Sequence, residues 1–304
     1  MEDAKSVSSE SYAPHAALLL TQFLFGSLPV IGKVVLQTIP ALGLVGFRIG
    51  ITALVLFLFQ RFVRGNLKLK YKGDYLRLFI LSFFGVTLNQ ILFITGLSLT
   101  KASNTSLLAV TIPIFALTVG SLLGIERLRL IKIVGIVVAA AGVVLLIDPR
   151  NASFSSETTL GDILIICNSL SYGIYVATSK EIITRNGAFR SMMWLFVFSS
   201  LICVPLGIYS LSAVELSAVP SWLWLVILYI AIASTAAPYL LNAYALAHVN
   251  PSVVAVYVYL QPVIGFLTAV IFLDEEITAL TVLAAVLIFA GVFLVTKKGK
   301  PQKS

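Results

Sequence analysis

The side chains with chemistry to offer are amides and hydroxyls set in the middle of long apolar runs: Gln22, Asn89, Gln90, Asn104, Thr111, Asn168, Tyr172, Tyr239, Asn242, Tyr257 and Gln261. None of them ionises near neutral pH, so together they can hydrogen-bond and orient a solute. Their spacing is orderly. Tyr257 and Gln261 are four apart, just before Pro262, and Gln22 with Phe25, like Ser169 with Tyr172, are three apart and share a helix face. A polar side chain at mid-membrane depth is costly against lipid and therefore points into a bundle or a wet cavity. The competing role is an interhelical hydrogen bond worth about 0.6–2 kcal/mol. Pro113 and Pro262 add a second kind of group, because each deprives the carbonyl four residues earlier, on Ala109 and Val258, of its helical partner.

Other chemistries find no support. There is no HExxH, no GxSxG and no glycine-lysine phosphate loop, and His15 and His248 stand far apart in the chain. Cys167 and Cys203 have no metal-ligand spacing, so the expected set of cofactors and metals is none. No Asp or Glu occupies the centre of an apolar run, which disfavours a carboxylate proton relay and favours facilitated movement or exchange. The lack of a basic cluster at that depth argues against phosphate-bearing solutes and for neutral or zwitterionic ones. Lys33 and Arg48 are expected to snorkel to an interface, and Glu126 and Glu275 to cap the following helix or pair with a nearby base.

The elements that must position these groups follow from composition. The chain has 304 residues, 59% of them hydrophobic and 11% charged, against roughly 25% charged in soluble domains, and its mean hydropathy is +1.02. A helix crossing the hydrocarbon core needs about 20 apolar residues. Ten runs of about that length, at 15–36, 41–62, 75–98, 102–124, 129–147, 160–183, 190–210, 220–245, 251–273 and 277–296, predict an all-α membrane protein of ten spans. A β-barrel would show short alternating segments instead. The predicted units are a polar N-terminal tail over 1–14, a first unit over 15–147, a linker over 148–159, a second unit over 160–296 and a basic tail over 297–304.

The net charge of +8 is distributed by membrane side, which argues against a nucleic-acid partner. Arg61, Arg64, Lys68, Lys70, Lys72 and Arg77 fall in one connection, Arg127, Arg129 and Lys132 in another, Lys180, Arg185 and Arg190 in a third, and Lys297, Lys298, Lys300 and Lys303 at the end. Those segments alternate with connections holding little but Lys33, Lys101 and Arg150. Both termini are therefore expected in the cytosol, and the protein in a cell membrane, inner or plasma.

The second half repeats the first. Residues 149 apart match at Leu92 and Leu241, Ser103 and Ser252, Pro113 and Pro262, Glu126 and Glu275, and Gly142 and Gly291; earlier in each half the offset becomes 147, pairing Gly26 with Gly173 and Lys33 with Lys180. Five helices per unit is an odd number, so the copies are expected to enter the membrane from opposite sides. Inverted repeats place two half-sites face to face at mid-depth, an arrangement suited to alternating access. One inverted pair supplies a complete pathway, so a monomer is expected to suffice.

The stretches Ser103–Glu126 and Ser252–Glu275 resemble the EamA domain of the drug/metabolite transporter superfamily, supported by Phe25-Gly26-Ser27, Phe47-Arg48 and Gly161-Asp162. The resemblance covers nearly the whole chain. It implies a ten-helix carrier whose cavity is lined by helices 1, 3, 4, 6, 8 and 9, often an exporter of amino acids or other metabolites. The expected protein is a secondary transporter with the lipid bilayer and a small metabolite as its partners; the alternative is a non-transporting receptor or scaffold on the same fold. Phe25 stands where many relatives have Trp.

Overall fold

The computed structural model describes residues 12–147, 158–212, 214–264 and 279–296. The helices are α1 (Ala13–Leu36), α2 (Ala41–Arg64), α3 (Gly73–Leu99), α4 (Asn104–Leu122), α5 (Leu130–Ile147), α6 (Thr159–Asn186), α7 (Ala188–Leu211), α8 (Ser221–His248), α9 (Pro251–Ile264) and α10 (Ala279–Thr296), and no strand occurs among the described residues. Seven of them, α1 to α4 and α6 to α8, are long and apolar enough to cross a membrane, and α5, α9 and α10 are shorter apolar helices within the described residues. Lys5, the 148–157 stretch, Glu275 and the lysines from 297 onward lie outside the described residues.

The surface is inverted relative to a soluble protein. Large apolar side chains point outward, among them Leu54, Phe62, Leu122, Val137, Leu201 and Phe293, while Thr21, Gln22, Arg48, Asn104, Ser169 and Asn242 are buried. So much contiguous apolar surface fits lipid rather than water.

Several spans that read as unbroken runs are interrupted, and at matched places. In α3 the turn Phe83–Leu88 is π-helical, and 149 residues on so is Ile232–Ala236 in α8. In α8 the cause is Pro238, which has no N–H for the Ser234 carbonyl. In α3 Gly85 sits so close to the Tyr175 ring that a Cβ there would come within 2.4 Å of it. α4 breaks at Ala109–Val110 ahead of Pro113, α9 tightens to a 3-10 turn at Tyr257–Tyr259 ahead of Pro262, and α1 is interrupted at Ser27 ahead of Pro29.

The carbonyls that the π turns release are collected by neighbouring helices in the same way in both halves. Ser199 on α7 donates to the Ser82 carbonyl at 3.2 Å, and Thr52 on α2 donates to the Ala231 carbonyl at 2.8 Å. Donors and acceptors are pairs under the offsets of 147 and 149. Lysines follow the same rule: Lys33 donates to the Thr100 carbonyl at the end of α3 at 2.6 Å, and Lys180 to the Val249 carbonyl at the end of α8 at 2.8 Å. Lys33 is thus a helix cap and not a snorkelling surface charge.

Small residues set the helix spacing. α5 crosses α10 with Gly142 against Ala284 and Gly135 against Gly291, and α2 crosses α7 with Gly46 against Gly207. A Cβ on Gly46 would lie 2.9 Å from the Gly207 Cα and 3.1 Å from the Cys203 carbonyl oxygen. Gly46→Leu is expected to destabilise the bundle by about 1–3 kcal/mol, since two backbones must part, and a lowered melting temperature of the detergent-purified protein measures it.

Candidate functional site

Helices α1, α3, α4, α6, α8 and α9 surround a cavity of about 750 Å³, its open part included. Seven of the sequence-predicted residues line it: Gln22, Asn89, Gln90, Asn168, Tyr172, Tyr239 and Gln261. No side chain carrying a formal charge is among the lining residues. The π turns place the polar groups, because each rotates the helix beyond it, bringing Asn89 and Gln90 on α3 and Tyr239 on α8 to the same depth from opposite sides.

Gln90, Tyr239, Asn89 and Asn168 form one network, and Gln22 with Gln261 a separate pair. Gln90 Nε2 donates to the Tyr239 hydroxyl at 2.7 Å, and that hydroxyl lies 3.0 Å from both the Gly85 carbonyl and Asn89 Oδ1, either of which accepts its single proton. Asn168 Nδ2 donates to the Asn89 carbonyl at 2.8 Å. Gln261 Nε2 donates to Gln22 Oε1 at 2.9 Å, joining α9 to α1. Gln90 Oε1 is buried without a partner among the described residues. Phe25 and Phe196 meet the Tyr239 ring edge-on, at 5.7 Å and 5.1 Å between centroids, and hold its hydroxyl in place.

Four predicted residues sit elsewhere. Asn104 is drawn to Asp162, to which its Nδ2 donates at 3.1 Å while Thr100 Oγ1 donates at 2.6 Å, a knot joining α3, α4 and α6. Thr111 turns its hydroxyl back to the Leu108 carbonyl at 2.7 Å. Asn242 stands behind the wall, where its Nδ2 donates to the Tyr172 hydroxyl. Tyr257 points toward the face bearing the N-terminus, where its hydroxyl shares a 2.7 Å hydrogen bond with His15 Nδ1. The Ala109 carbonyl, despite Pro113, accepts from the Ile112 N–H at 3.0 Å, and the Val258 carbonyl accepts from the Leu260 N–H.

Sequence reasoning passed over Leu28, Phe93, Thr105, Ser106, Ile112 and Ile165, which also line the cavity. Phe93 lies four residues from Asn89, and Ile165 three from Asn168, so helical spacing alone was enough to find them.

The cavity lies between mid-depth and the face where α1 ends, since Leu28, Pro29, Phe93, Thr105 and Ile165, each toward that end of its helix, are among its lining residues. On the face bearing the N-terminus the helices are fastened as well. Besides His15 with Tyr257, Glu126 there accepts from Lys132 and from Ser252 Oγ at 2.6 Å, tying the end of α4 to the start of α9. Gly124, at φ +68°, makes this possible by turning the chain sharply after α4 in a conformation that other residues rarely adopt. Arg48, expected at an interface, is instead fully buried, with Nε donating to Thr235 Oγ1 at 3.1 Å.

An apolar outer surface around a polar cavity walled by helices from both halves defines a multi-pass membrane protein. The chain belongs to the EamA-like transporter family, whose model matches it twice, over residues 14–148 and 159–297. A protein of Archaeoglobus fulgidus described as an uncharacterized transporter is 27% identical over 285 residues, covering 93% of this chain and 97% of that one. The uncharacterized transporter YetK of Bacillus subtilis is 23% identical, covering 95% of this chain and 88% of its own length. A WAT1-related protein of Arabidopsis thaliana is 23% identical across 72% of this chain and 67% of its own. A solved crystal structure superposes with a TM-score of 0.75 at 17% identity, over 96% of this chain and 98% of that one, which shows a shared fold. Family and relatives point to a transporter rather than an enzyme.

Proposed function

We propose that the protein is a secondary transporter that moves small neutral or zwitterionic metabolites, amino acids among them, outward from the cytosol by alternating access at the described cavity. The observation that carries this reading is the cavity itself, uncharged in its lining and walled by equivalent helices of both halves. The proposed architecture is ten spans in two inverted five-helix repeats. Its supports are the double family match, the twin π turns and the twin lysine caps.

Basic residues concentrate in connections on the side of the N-terminus, so both termini are assigned to the cytosol. The described arrangement is then one in which the extracytoplasmic side has access. Without an intramembrane carboxylate in the lining, facilitated movement or exchange is the favoured mode.

The test is uptake of labelled amino acids by vesicles holding the purified protein, with and without a pH gradient. Saturable uptake is expected, with kcat/KM lowered at least tenfold in Gln90→Ala, the equivalent of about 1.4 kcal/mol of lost interaction. A panel of metabolites among which none is moved would instead favour a non-transporting receptor or scaffold.

A further inference from the structure

Arg48 is a fully buried charge whose environment the fold does not account for. It lies on α2 about 10 Å from that helix's start, by the rise of a helix, and its side chain is fully buried. Nε has its bond to Thr235, but Nη1 and Nη2 have no partner among the described residues. Arginine stays protonated, and a buried positive charge with unfilled donors is strongly unfavourable unless something answers it.

No carboxylate of the described protein does so. Asp74 is bound by Arg185 and Asn186, Glu126 by Lys132 and Ser252, Asp162 by Thr100 and Asn104, Glu181 by Arg77 and Arg185, and Glu215 by Ser217. Packing does not call for the charge either. Under the offsets of 147 and 149 the counterparts of Arg48 and Thr235 are Leu195 and Val86, both fully buried. The fold therefore fills the equivalent place in its other half with an apolar pair.

The guanidinium does not line the cavity but stands behind Tyr239, which does. Its partner Thr235 is one turn before Tyr239 on α8, and Arg48 is close enough to Tyr239 for their charges to interact. Tyr239 is the residue whose hydroxyl organises Gln90 and Asn89 in the cavity wall. In apolar surroundings a charge set one side chain back still acts on a solute, because little water screens it.

We propose that Arg48 is the fixed positive charge of the transport site and that its counter-ion is the carboxylate of the transported solute, held beside Tyr239. This rests on the transport reading above and narrows it: the site selects carboxylates, zwitterionic or anionic, over the corresponding amines. A single cation without a second basic group suits a monoanionic carboxylate better than a phosphate.

The test uses the purified full chain and two solute sets, leucine with isocaproate and isoamylamine, and phenylalanine with hydrocinnamate and phenethylamine. Thermal stabilisation by each solute reads binding, and vesicle uptake reads transport. Wild type is expected to be stabilised by the four acids and not by the two amines. Arg48→Gln is expected to weaken the apparent affinity for acids at least tenfold, and Arg48→Lys to keep the preference for acids. Arg48→Leu combined with Thr235→Val installs the apolar pair the fold already tolerates, so it separates loss of binding from loss of folding, and it is expected to lose acid binding at a near wild-type melting temperature.

Amines as effective as acids, no stabilisation of wild type by any acid, or unchanged acid affinity in the folded Leu/Val variant would each overturn the assignment of Arg48. Acid-dependent stabilisation without uptake would leave Arg48 in place and remove the transport reading alone.

Discussion

Glu126→Gln lowers the stability of the purified protein by about 3–5 kcal/mol, the effect expected when a buried ion pair loses one partner. Glu126 and Lys132 are 8% and 9% exposed, and among the described residues the partners of Lys132 Nζ are Glu126 and, at 3.0 Å, Ser252 Oγ. Glutamine keeps the shape but leaves the ammonium without a counter-charge. Its amide also gives Ser252 poorer acceptors than the two oxygens now bound by Ser252 N–H and Oγ, at 3.2 and 2.6 Å. Adding Lys132→Met to Glu126→Gln is expected to restore most of the loss, because the penalty is the unpaired charge. Glu181→Gln is the control. Its bridges to Arg77 and Arg185 run through a carboxylate side chain that is 64% exposed, so its loss is expected to be far smaller than that of Glu126. Melting temperatures of the variants decide; a Glu181 effect as large as that of Glu126 would refute the ranking.

Gly26 and Gly173 occupy matched positions in α1 and α6 but meet different surroundings, and substituting them is expected to have opposite consequences. A Cβ on Gly173 would lie 2.9 Å from Phe115 Cβ and 3.0 Å from the Ala116 nitrogen, whereas nothing described lies within 4 Å of one on Gly26. Gly173→Ala is thus expected to destabilise by about 1–3 kcal/mol. Gly26→Ala is expected to be neutral or stabilising by up to about 1 kcal/mol, since alanine is the better helix former. If the halves exchange roles during the proposed cycle, Gly26 must in turn approach α9 as closely as Gly173 now approaches α4. Gly26→Leu is then expected to melt near wild type while vesicle uptake falls at least a hundredfold. Undiminished uptake by that variant would mean that α1 and α9 never close in this way.

The all-helical, lipid-facing character of the fold could be read from the apolar runs, because lipid imposes helical length. The π turns could not. Pro238 marks one of them, but the turn at Phe83–Leu88 contains no proline and arises where the Tyr175 ring crowds Gly85, a long-range contact. For the site, depth along a helix located Gln22, Asn89, Gln90, Asn168, Tyr172, Tyr239 and Gln261 near one another. Depth does not give direction. Asn104 was diverted by a carboxylate on another helix, Tyr257 by His15 from the far end of the chain, and Thr111 by its own backbone. Arg48 was misjudged for the same reason: an arginine near a span's end ordinarily reaches the interface, and only the packing of α2 on α8 shows that this one does not.

The paired lysines bear on how the chain assembles. Lys33 fastens α1 to the end of α3 inside the first half, and Lys180 fastens α6 to the end of α8 inside the second, so each half carries its own clasp. The bonds between halves, from Gln90 to Tyr239, from Asn104 to Asp162 and from Glu126 to Ser252, are contacts between surfaces already shaped by those clasps. The peptide joining the halves then contributes chiefly local concentration. Two separately made halves kept at comparable density in one bilayer would have the same surfaces to find each other with.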